Sequence, residues 1–387
     1  MDFGAPIQRP HLLDRAARLK CRAMALSRDA VMNGFARLSK VGLDAPAARM
    51  ARRLIGAHLY AVKLEVNTAC SLRCKMCYVD RTGQELPADT IDRLFRQLRG
   101  QGVRIEILGG EPLLRADLPT LVAAAKHRAR SPYVSLYTNG VHATAQLARE
   151  LAQAGLDAAL VTLVSPDEAV HDAFVGSPGA FRRTCGGIQH LRAAGVDVFS
   201  LTSVHRENIQ DVPAIHHYAQ HELGVHPTFY QYVPRSPTDP LMPDPREWDA
   251  AKRWIVTETG ASHMEFVRCF FRLTGCACSG GNFVLTVKAD GSVQPCPFLD
   301  DLPLGNVHET DLFTIWRRRY EKPELLEFKS TPEECQDCTY RSVCGGGCRA
   351  SSRLLHGTWR HRDQRCLGPF SEPLDRERML EYLPSFF

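Results

Sequence analysis

Fourteen cysteines in 387 residues constrain this chain more than any other feature, because they are not spread evenly. Three stand close together at Cys70, Cys74 and Cys77, and most of the rest crowd between Cys269 and Cys366. Thiols gathered in this way serve disulfides, metal binding or catalysis, and the redox compartment decides among them. The N-terminus MDFGAPIQRPHLLDRAARLK lacks the apolar core of a signal peptide, and no later run approaches the roughly 18 apolar residues of a membrane span. A cytoplasmic location is therefore expected, where thiols stay reduced and their clusters point to metal. With 44% apolar and 24% charged residues the chain can bury its cores. A net charge of +5 is too mild for a protein whose partner is nucleic acid, and none is expected.

The chain falls into five stretches. Residues 1–57 carry apolar positions at helix spacing, among them Leu12, Leu13, Ala16, Leu19 and Ala23, and an excess of Lys and Arg over Asp. Residues 58–233 alternate short β-rich runs with amphipathic helices. The strands are expected at Tyr60–Val66, Val103–Leu108, Tyr133–Tyr137, Ala158–Val164, Val198–Val204 and Thr228–Val233. Helices are expected at Thr90–Leu98, Leu118–Arg128, Ala143–Ala154 and Arg182–Ala194. Six units of roughly 29 residues match the unit size of a (β/α) barrel while falling two short of eight. The fold class is thus α/β, a six-unit partial barrel with an N-terminal helical segment and a small C-terminal α+β domain. An open doubly wound sheet is the alternative, and both place a site beyond the C-terminal strand ends. Residues 234–268 read as a Pro-rich bridge with a helix around Trp254, 269–370 as a cysteine-rich domain with a hairpin turning at Asp290-Gly291, and 371–387 as a tail.

The first cysteine cluster follows the first strand as C-x3-C-x2-C. Three thiolates in one short loop complete neither a tetrahedral zinc site nor a four-iron cube, but they can hold three irons and leave the fourth open. This loop at a barrel mouth closely resembles the signature of the radical SAM superfamily, in which the open iron chelates S-adenosylmethionine. One departure is Met76, where the family usually has an aromatic residue; Tyr78 follows the third cysteine instead. The resemblance continues with Gly109-Gly110-Glu111-Pro112 after the second strand, similar to the family's GGEP motif, and implies that Glu111 meets the methionyl ammonium. Two glycines there also let backbone approach a ligand closely. Asn139, in Thr138-Asn139-Gly140 after strand three, is similar to the family's TNG segment. At the fourth strand Thr162 or Ser165 takes the place of a ribose-binding serine. HDAFVGSPGAF, from His171, looks like a further family loop, with His171 read as structural.

The second field resembles the SPASM domain. Cys278, Gly291 and Cys296 are spaced C-x12-G-x4-C, followed by Cys335, Cys338, Cys344 and Cys348 as C-x2-C-x5-C-x3-C, and then Cys366. The family's arrangement implies one auxiliary cluster on Cys278, Cys296 and Cys348 with either Cys269 or Cys276, of which Cys269 is favoured. It implies a second on Cys335, Cys338, Cys344 and Cys366. Three 4Fe–4S clusters and S-adenosylmethionine are therefore the expected cofactors. Cys21 and Cys185 fall in helical patterns and read as plain buried thiols. A zinc ribbon is the rival for Cys335 to Cys348, and Trp316 to Tyr320 reads as a solvated helix face.

The resemblance implies reductive cleavage of S-adenosylmethionine to methionine and a 5′-deoxyadenosyl radical, which takes a hydrogen atom from an unactivated C–H bond. A flavodoxin- or ferredoxin-type donor would supply the electron. Maturation of a ribosomally made peptide is the first expectation for substrate. Residues 1–57 show no strand pattern of a leader-binding domain, so a separate leader-binding protein is expected if the substrate is a peptide. A small molecule, such as an aminoglycoside or tetrapyrrole precursor, is the alternative, and CRASSRLLHG resembles the tail of tetrapyrrole-modifying relatives. Sulfatase maturation is disfavoured because Pro297 stands where those enzymes place an aspartate. A non-catalytic electron-transfer scaffold is disfavoured by the intact GGEP.

Overall fold

The computed structural model describes residues 59–258 and 278–373. The expected N-terminal helices, Cys21, the two candidates Cys269 and Cys276 and most of the tail lie outside the described residues.

Six parallel strands alternate with helices in the order expected, and two further helices, at Glu168–Val175 and Val212–His217, form where none was expected. The elements are β1 (Ala61–Glu65), α1 (Ala88–Leu98), β2 (Arg104–Leu108), α2 (Leu118–His127), β3 (Val134–Thr138), α3 (Ala145–Gln153), β4 (Ala158–Thr162), α4 (Glu168–Val175), α5 (Ala180–Ala193), β5 (Asp197–Val204), α6 (Val212–His217) and β6 (His226–Gln231). Local chemistry sets the helix ends. Thr144 caps α3 by accepting from the Leu147 N–H at 3.1 Å, and Asp167 caps α4 by accepting from Val170 at 3.0 Å. Gly176 stops α4 at φ +66°, a conformation that suits glycine. The helix expected around Trp254 is α7 (Pro245–Glu258), with Trp248 fully buried.

Strand alternation separates two faces. Val62, Leu64, Ile105, Ile107, Val134 and Leu136 pack into the core with Phe95, Val122 and Ile188 of the helices. Lys63, Glu106 and Tyr137 lie on the opposite, lumen-facing side and are only half-buried. Lys63 pairs with Glu106 in register across β1 and β2, and their charges stand 3.7 Å apart.

The hairpin at Asp290-Gly291 forms as read, between β7 (Val284–Val287) and β8 (Ser292–Gln294), with Gly291 at φ +81°. Its place is new: β7 pairs with β1 in parallel, Ala61 opposite Val284 and Leu64 opposite Val287. The described strands form one sheet, ordered β6-β5-β4-β3-β2-β1-β7-β8 and ending in β9 (Gly305–Asn306). The cysteine-rich segment thus begins as an extension of the barrel. It continues with α8 (Leu312–Arg318), α9 (Pro323–Lys329), α10 (Arg341–Cys344) and α11 (Arg349–His356).

The stretch Trp316 to Tyr320 departs from a solvated face. Arg317 and Arg318 are exposed, but Trp316 and Arg319 are buried, with the Arg319 guanidinium 3.4 Å from the Trp316 ring centre and its Nε donating to the Gly281 carbonyl at 2.7 Å. A planar cation that stacks on an aromatic face and reaches a carbonyl is stable where an isolated charge is not. Among the described residues no helix is long and apolar enough to cross a membrane.

Candidate active site

The cysteine loop leaves the C-terminal end of β1 and is held from two sides. On one side the Arg73 and Lys75 N–H groups donate to the carbonyls of Val175 and Phe174, at 2.8 and 3.1 Å, so the end of α4 fixes its backbone. On the other, the Gly110 N–H donates to the Asn67 carbonyl and the Glu111 N–H to the Ala69 carbonyl, both at 2.7 Å. The buried Asn67 side chain donates from Nδ2 to the Glu111 carbonyl at 2.9 Å. A Cβ on Gly109 would lie 2.5 Å from the Asn67 carbonyl oxygen, and one on Gly110 would lie 2.3 Å from that of Ala69. The two glycines therefore serve first to let the Gly-Gly-Glu turn press against the cysteine loop.

The carboxylate of Glu111, expected to meet an ammonium, is engaged by the protein itself. Its side chain is fully buried, Oε1 accepting from the Leu113 N–H at 3.0 Å and the Thr138 hydroxyl at 2.6 Å, Oε2 from the Asn139 N–H at 2.8 Å. Burial raises its pKa, and the bonds from Thr138, Asn139 and Leu113 work against that rise. The carboxylate thus ties the end of β2 to the end of β3. Asn139 in turn directs Nδ2 to the Cys70 sulfur at 3.7 Å, within reach of a weak sulfur hydrogen bond.

Cys70, Cys74 and Cys77 are all half-buried. Burial, then the neighbouring Cys77 and Cys70 sulfurs, pushes the Cys74 thiol up to about 12. Burial also raises Cys70. Three thiols in one short loop are a donor set that would hold three irons of a cluster.

The remaining candidates divide. Thr162 is half-buried at the lumen-facing end of β4. Ser165 is buried, with its hydroxyl accepting from the Asp167 N–H at 3.1 Å as a turn residue. Pro112 opens a short 3₁₀ turn over Pro112–Leu114 and is buried. His171 is structural in its surroundings: buried, its Nδ1 accepting from the Val164 N–H at 3.4 Å, and held by burial at a pKa of about 4. Tyr78 faces the cysteine-rich segment. Its ring centre lies 4.5 Å from that of Phe298, two residues past Cys296, and Lys288 Nζ stands 5.6 Å over it. Lys288 also reaches Glu65 at 3.1 Å, Asp300 at 3.0 Å and the Pro297 carbonyl at 3.2 Å.

The second field gathers into two sets. Cys278, Cys296 and Cys348 are neighbours: burial, then Cys348 and Cys278, pushes the Cys296 thiol up to about 12. Cys335, Cys338, Cys344 and Cys366 line one cavity with Tyr340, Arg341, Gly346 and Arg362. Among the described residues no three Cys, His, Asp or Glu side chains converge closely enough for a single metal ion. The four thiols surround one space, a donor set that would hold a four-iron cube or a tetrahedral zinc. A buried Asp363–Arg365 pair, 2.8 Å apart, supports both sets. Asp363 accepts from the Cys348 N–H at 2.8 Å, and Arg365 donates to the Tyr232 carbonyl just past β6 at 2.6 Å. Cys185 stands apart from all of these, half-buried with its sulfur 3.7 Å from the Tyr218 hydroxyl.

Sequence reading passed over Asn67, Lys63, Glu106, Lys288 and Arg365. For Lys63 and Glu106 a signal existed, since a charge inside an otherwise apolar parallel strand has to face a wet lumen. Asn67 and Lys288 carry no local signal, because Glu111 and Glu65 are distant in the chain, and Arg365 has Asp363 two residues away but shows its burial only in the fold.

Comparison with known proteins agrees with this geometry. The Radical SAM superfamily model matches residues 64–219, and that of SPASM, an iron–sulfur cluster-binding domain, matches residues 276–339. The AdoMet-dependent heme synthase of Nitratidesulfovibrio vulgaris is 27% identical over 326 residues, 76% of this chain and 88% of that protein. The PqqA peptide cyclase of Gluconobacter oxydans is 27% identical over 335 residues, 81% of this chain and 92% of that protein. Among solved structures, Streptococcus suis SuiB bound to S-adenosylmethionine superposes with a TM-score of 0.63 at 18% identity, covering 80% of this chain and 78% of SuiB. The structure of native anSMEcpe with bound AdoMet and Kp18Cys peptide gives 0.65 at 19% identity, covering 79% of this chain and 93% of its own. At such identities the two structures speak for the fold alone. Barrel, cysteine loop and C-terminal cysteine field together make this chain a member of the radical SAM superfamily that carries a C-terminal SPASM iron–sulfur domain.

Proposed function

We propose that this radical SAM/SPASM enzyme removes a hydrogen atom from an unactivated C–H bond of a ribosomally made peptide and passes an electron from the substrate to an auxiliary cluster. In this reading residues 58–233 are the catalytic barrel, 234–268 the bridge and 269–370 the auxiliary domain. Cys70, Cys74 and Cys77 would hold the cluster that binds S-adenosylmethionine. Cys278, Cys296 and Cys348 with Cys269, and Cys335, Cys338, Cys344 and Cys366, would hold the two auxiliary clusters. When bound, the clusters supply single electrons, the chemistry that no side chain here can provide.

The chain's own residues position and shield. Asn67 and the paired glycines set the Gly-Gly-Glu turn against the cysteine loop, while Glu111 carries that order on to Asn139. The single observation that carries the reading is the join at Tyr78. Through Phe298 and the Glu65–Lys288 pair, the Cys296 segment packs directly on the cofactor loop, so a substrate in the barrel mouth has an electron acceptor on the same side. Lys63, Glu106 and Tyr137 offer that substrate a polar lumen wall.

A peptide substrate is supported by likeness to the PqqA peptide cyclase over 81% of this chain. A flavodoxin- or ferredoxin-type donor and a separate leader-binding protein complete the reading. A carboxylated tetrapyrrole is the second reading, favoured by relatives named heme synthases. The deciding measurement is release of 5′-deoxyadenosine by the anaerobic, reduced enzyme with a short peptide encoded beside the gene, followed by mass spectrometry of that peptide. Stimulated release and loss of two hydrogens are expected; stimulation by a carboxylated tetrapyrrole and not by the peptide would reverse the order.

A further inference from the structure

Arg349 opens α11 directly after Cys348 and is 2% exposed. Two carbonyls pin its guanidinium, Nε donating to Phe328 at 3.2 Å and Nη1 to His361 at 3.0 Å. Nη2 is buried and has no hydrogen-bond partner. Among the described residues no carboxylate stands within ion-pair range of it.

The chain makes room for this group. Gly346 sits at φ +95° between Cys344 and Cys348 and lines the cavity of the four-thiol set. A Cβ there would come 2.5 Å from Pro332 Cδ and 2.8 Å from Arg349 Nη1, so glycine leaves room for both the proline ring and the guanidinium. Burial lowers the Arg349 pKa, and the charges that oppose this are the Cys278, Cys348, Cys335 and Cys344 thiols, two from each set. An arginine stays protonated even so.

A buried cation without an anion is unfavourable, and a four-iron cluster on four thiolates is an anion in either of its working oxidation states. Hydrogen bonds and positive charge beside a cluster favour its reduced, more negative form. We propose that Arg349 is the shared counter-cation of the two C-terminal clusters, its free Nη2 N–H groups directed at cluster sulfur and its charge holding both reduction potentials up. The proposal rests on the reading that both cysteine sets hold iron–sulfur clusters.

The test uses the full-length enzyme reconstituted without oxygen, as wild type, Arg349→Met and Arg349→Lys, with iron counted and each cluster titrated by potential under electron paramagnetic resonance. In Arg349→Met both auxiliary clusters should keep their iron and become harder to reduce by about tenfold in the reduced-to-oxidised ratio, or about 59 mV for one electron. The cluster on Cys70, Cys74 and Cys77 should not move, and Arg349→Lys should stay within about threefold of wild type on the same scale. Iron lost from the Met variant and kept by the Lys variant would also support the charge. Full iron with unmoved potentials in Arg349→Met overturns the proposal, as does a shift confined to one auxiliary cluster. Iron loss from both variants overturns it too, by marking a packing role. The underlying reading fails separately, in the unmutated enzyme, if the C-terminal field holds zinc or only one cluster.

Discussion

Glu111 keeps a carboxylate in a fully buried place on three hydrogen bonds, and each of those donors belongs to a segment that frames the cofactor loop. Glu111→Gln keeps the shape but sets an amide N–H against the Asn139 N–H. Hydrogen bonds to a charged group contribute about 1.5–3 kcal/mol, so S-adenosylmethionine affinity should fall by roughly tenfold or more with iron content unchanged. Thr138→Val removes one donor to the same carboxylate and should weaken binding by about threefold by that route. Anaerobic titration distinguishes the two ideas: a carboxylate touching the ligand directly would leave the Thr138→Val affinity where it was. His171 and His205 show a second residue-scale effect, both buried and both held at about 4 by burial. An unfolded histidine takes its proton near 6.5, so between that pH and about 4 the unfolded chain binds more protons and stability falls as pH falls. Each should cost about 2 kcal/mol by pH 5. Comparing urea midpoints at pH 7 and pH 5 checks this, since His205→Gln should shrink the difference; an equal difference in both proteins would remove His205 from the account.

At the scale of elements, the join of β7 to β1 carries the auxiliary segment onto the barrel. Leu64 faces Val287 in register, which brings Glu65 and Lys288 side by side, 3% and 10% exposed at their side chains. Burial raises the Glu65 pKa and Lys288 works against that rise. Lys288→Met should destabilise the protein by about 3 kcal/mol or more, because it leaves a carboxylate buried without its cation. Adding Glu65→Gln to it should recover most of the loss. Denaturant unfolding of the two variants measures this, and a double variant no more stable than the single one would show that Lys288 acts through Asp300 and the Pro297 carbonyl instead. The helices needed no such distant partner. Their ends are set by Thr144, Asp167 and Gly176, whose capping chemistry is local.

Across the whole molecule, the cysteine sets belong to different stretches of one sheet-based framework, the loop after β1 and the segment following β7. Changing Cys70, Cys74 and Cys77 together to Ala should abolish reductive cleavage of S-adenosylmethionine. Iron should fall from near twelve per chain to about eight, on the arithmetic of three and then two cubes. Cleavage that survives the triple change would place the cofactor elsewhere. About eight irons in the unmutated enzyme would remove one auxiliary cluster from the proposal.

What the sequence determined by itself was whatever depends on near neighbours. Alternation placed six strands within a residue or two of Ala61–Glu65 through His226–Gln231, and cysteine spacing marked the two fields, because a pleat and a short chelating loop are both written in consecutive residues. The tertiary structure alone decided which groups meet across the chain. Gly109 and Gly110 are legible as glycines, but only the fold shows them pressed on Asn67 and Ala69. Glu111 is legible as a ligand in its motif, but only the fold shows the ends of β2 and β3 enclosing it, because a carboxylate accepts from whichever donors packing brings to it. The hairpin at Asp290 was visible, whereas its seat beside β1 was not, since parallel pairing joins strands through long connections and leaves no trace in the turn. Arg349 looks like one more basic residue at a helix start until its burial and its missing partner are seen together. Charge is a property of the residue, but the cost of that charge is set by what surrounds it, and only the folded chain supplies the surroundings.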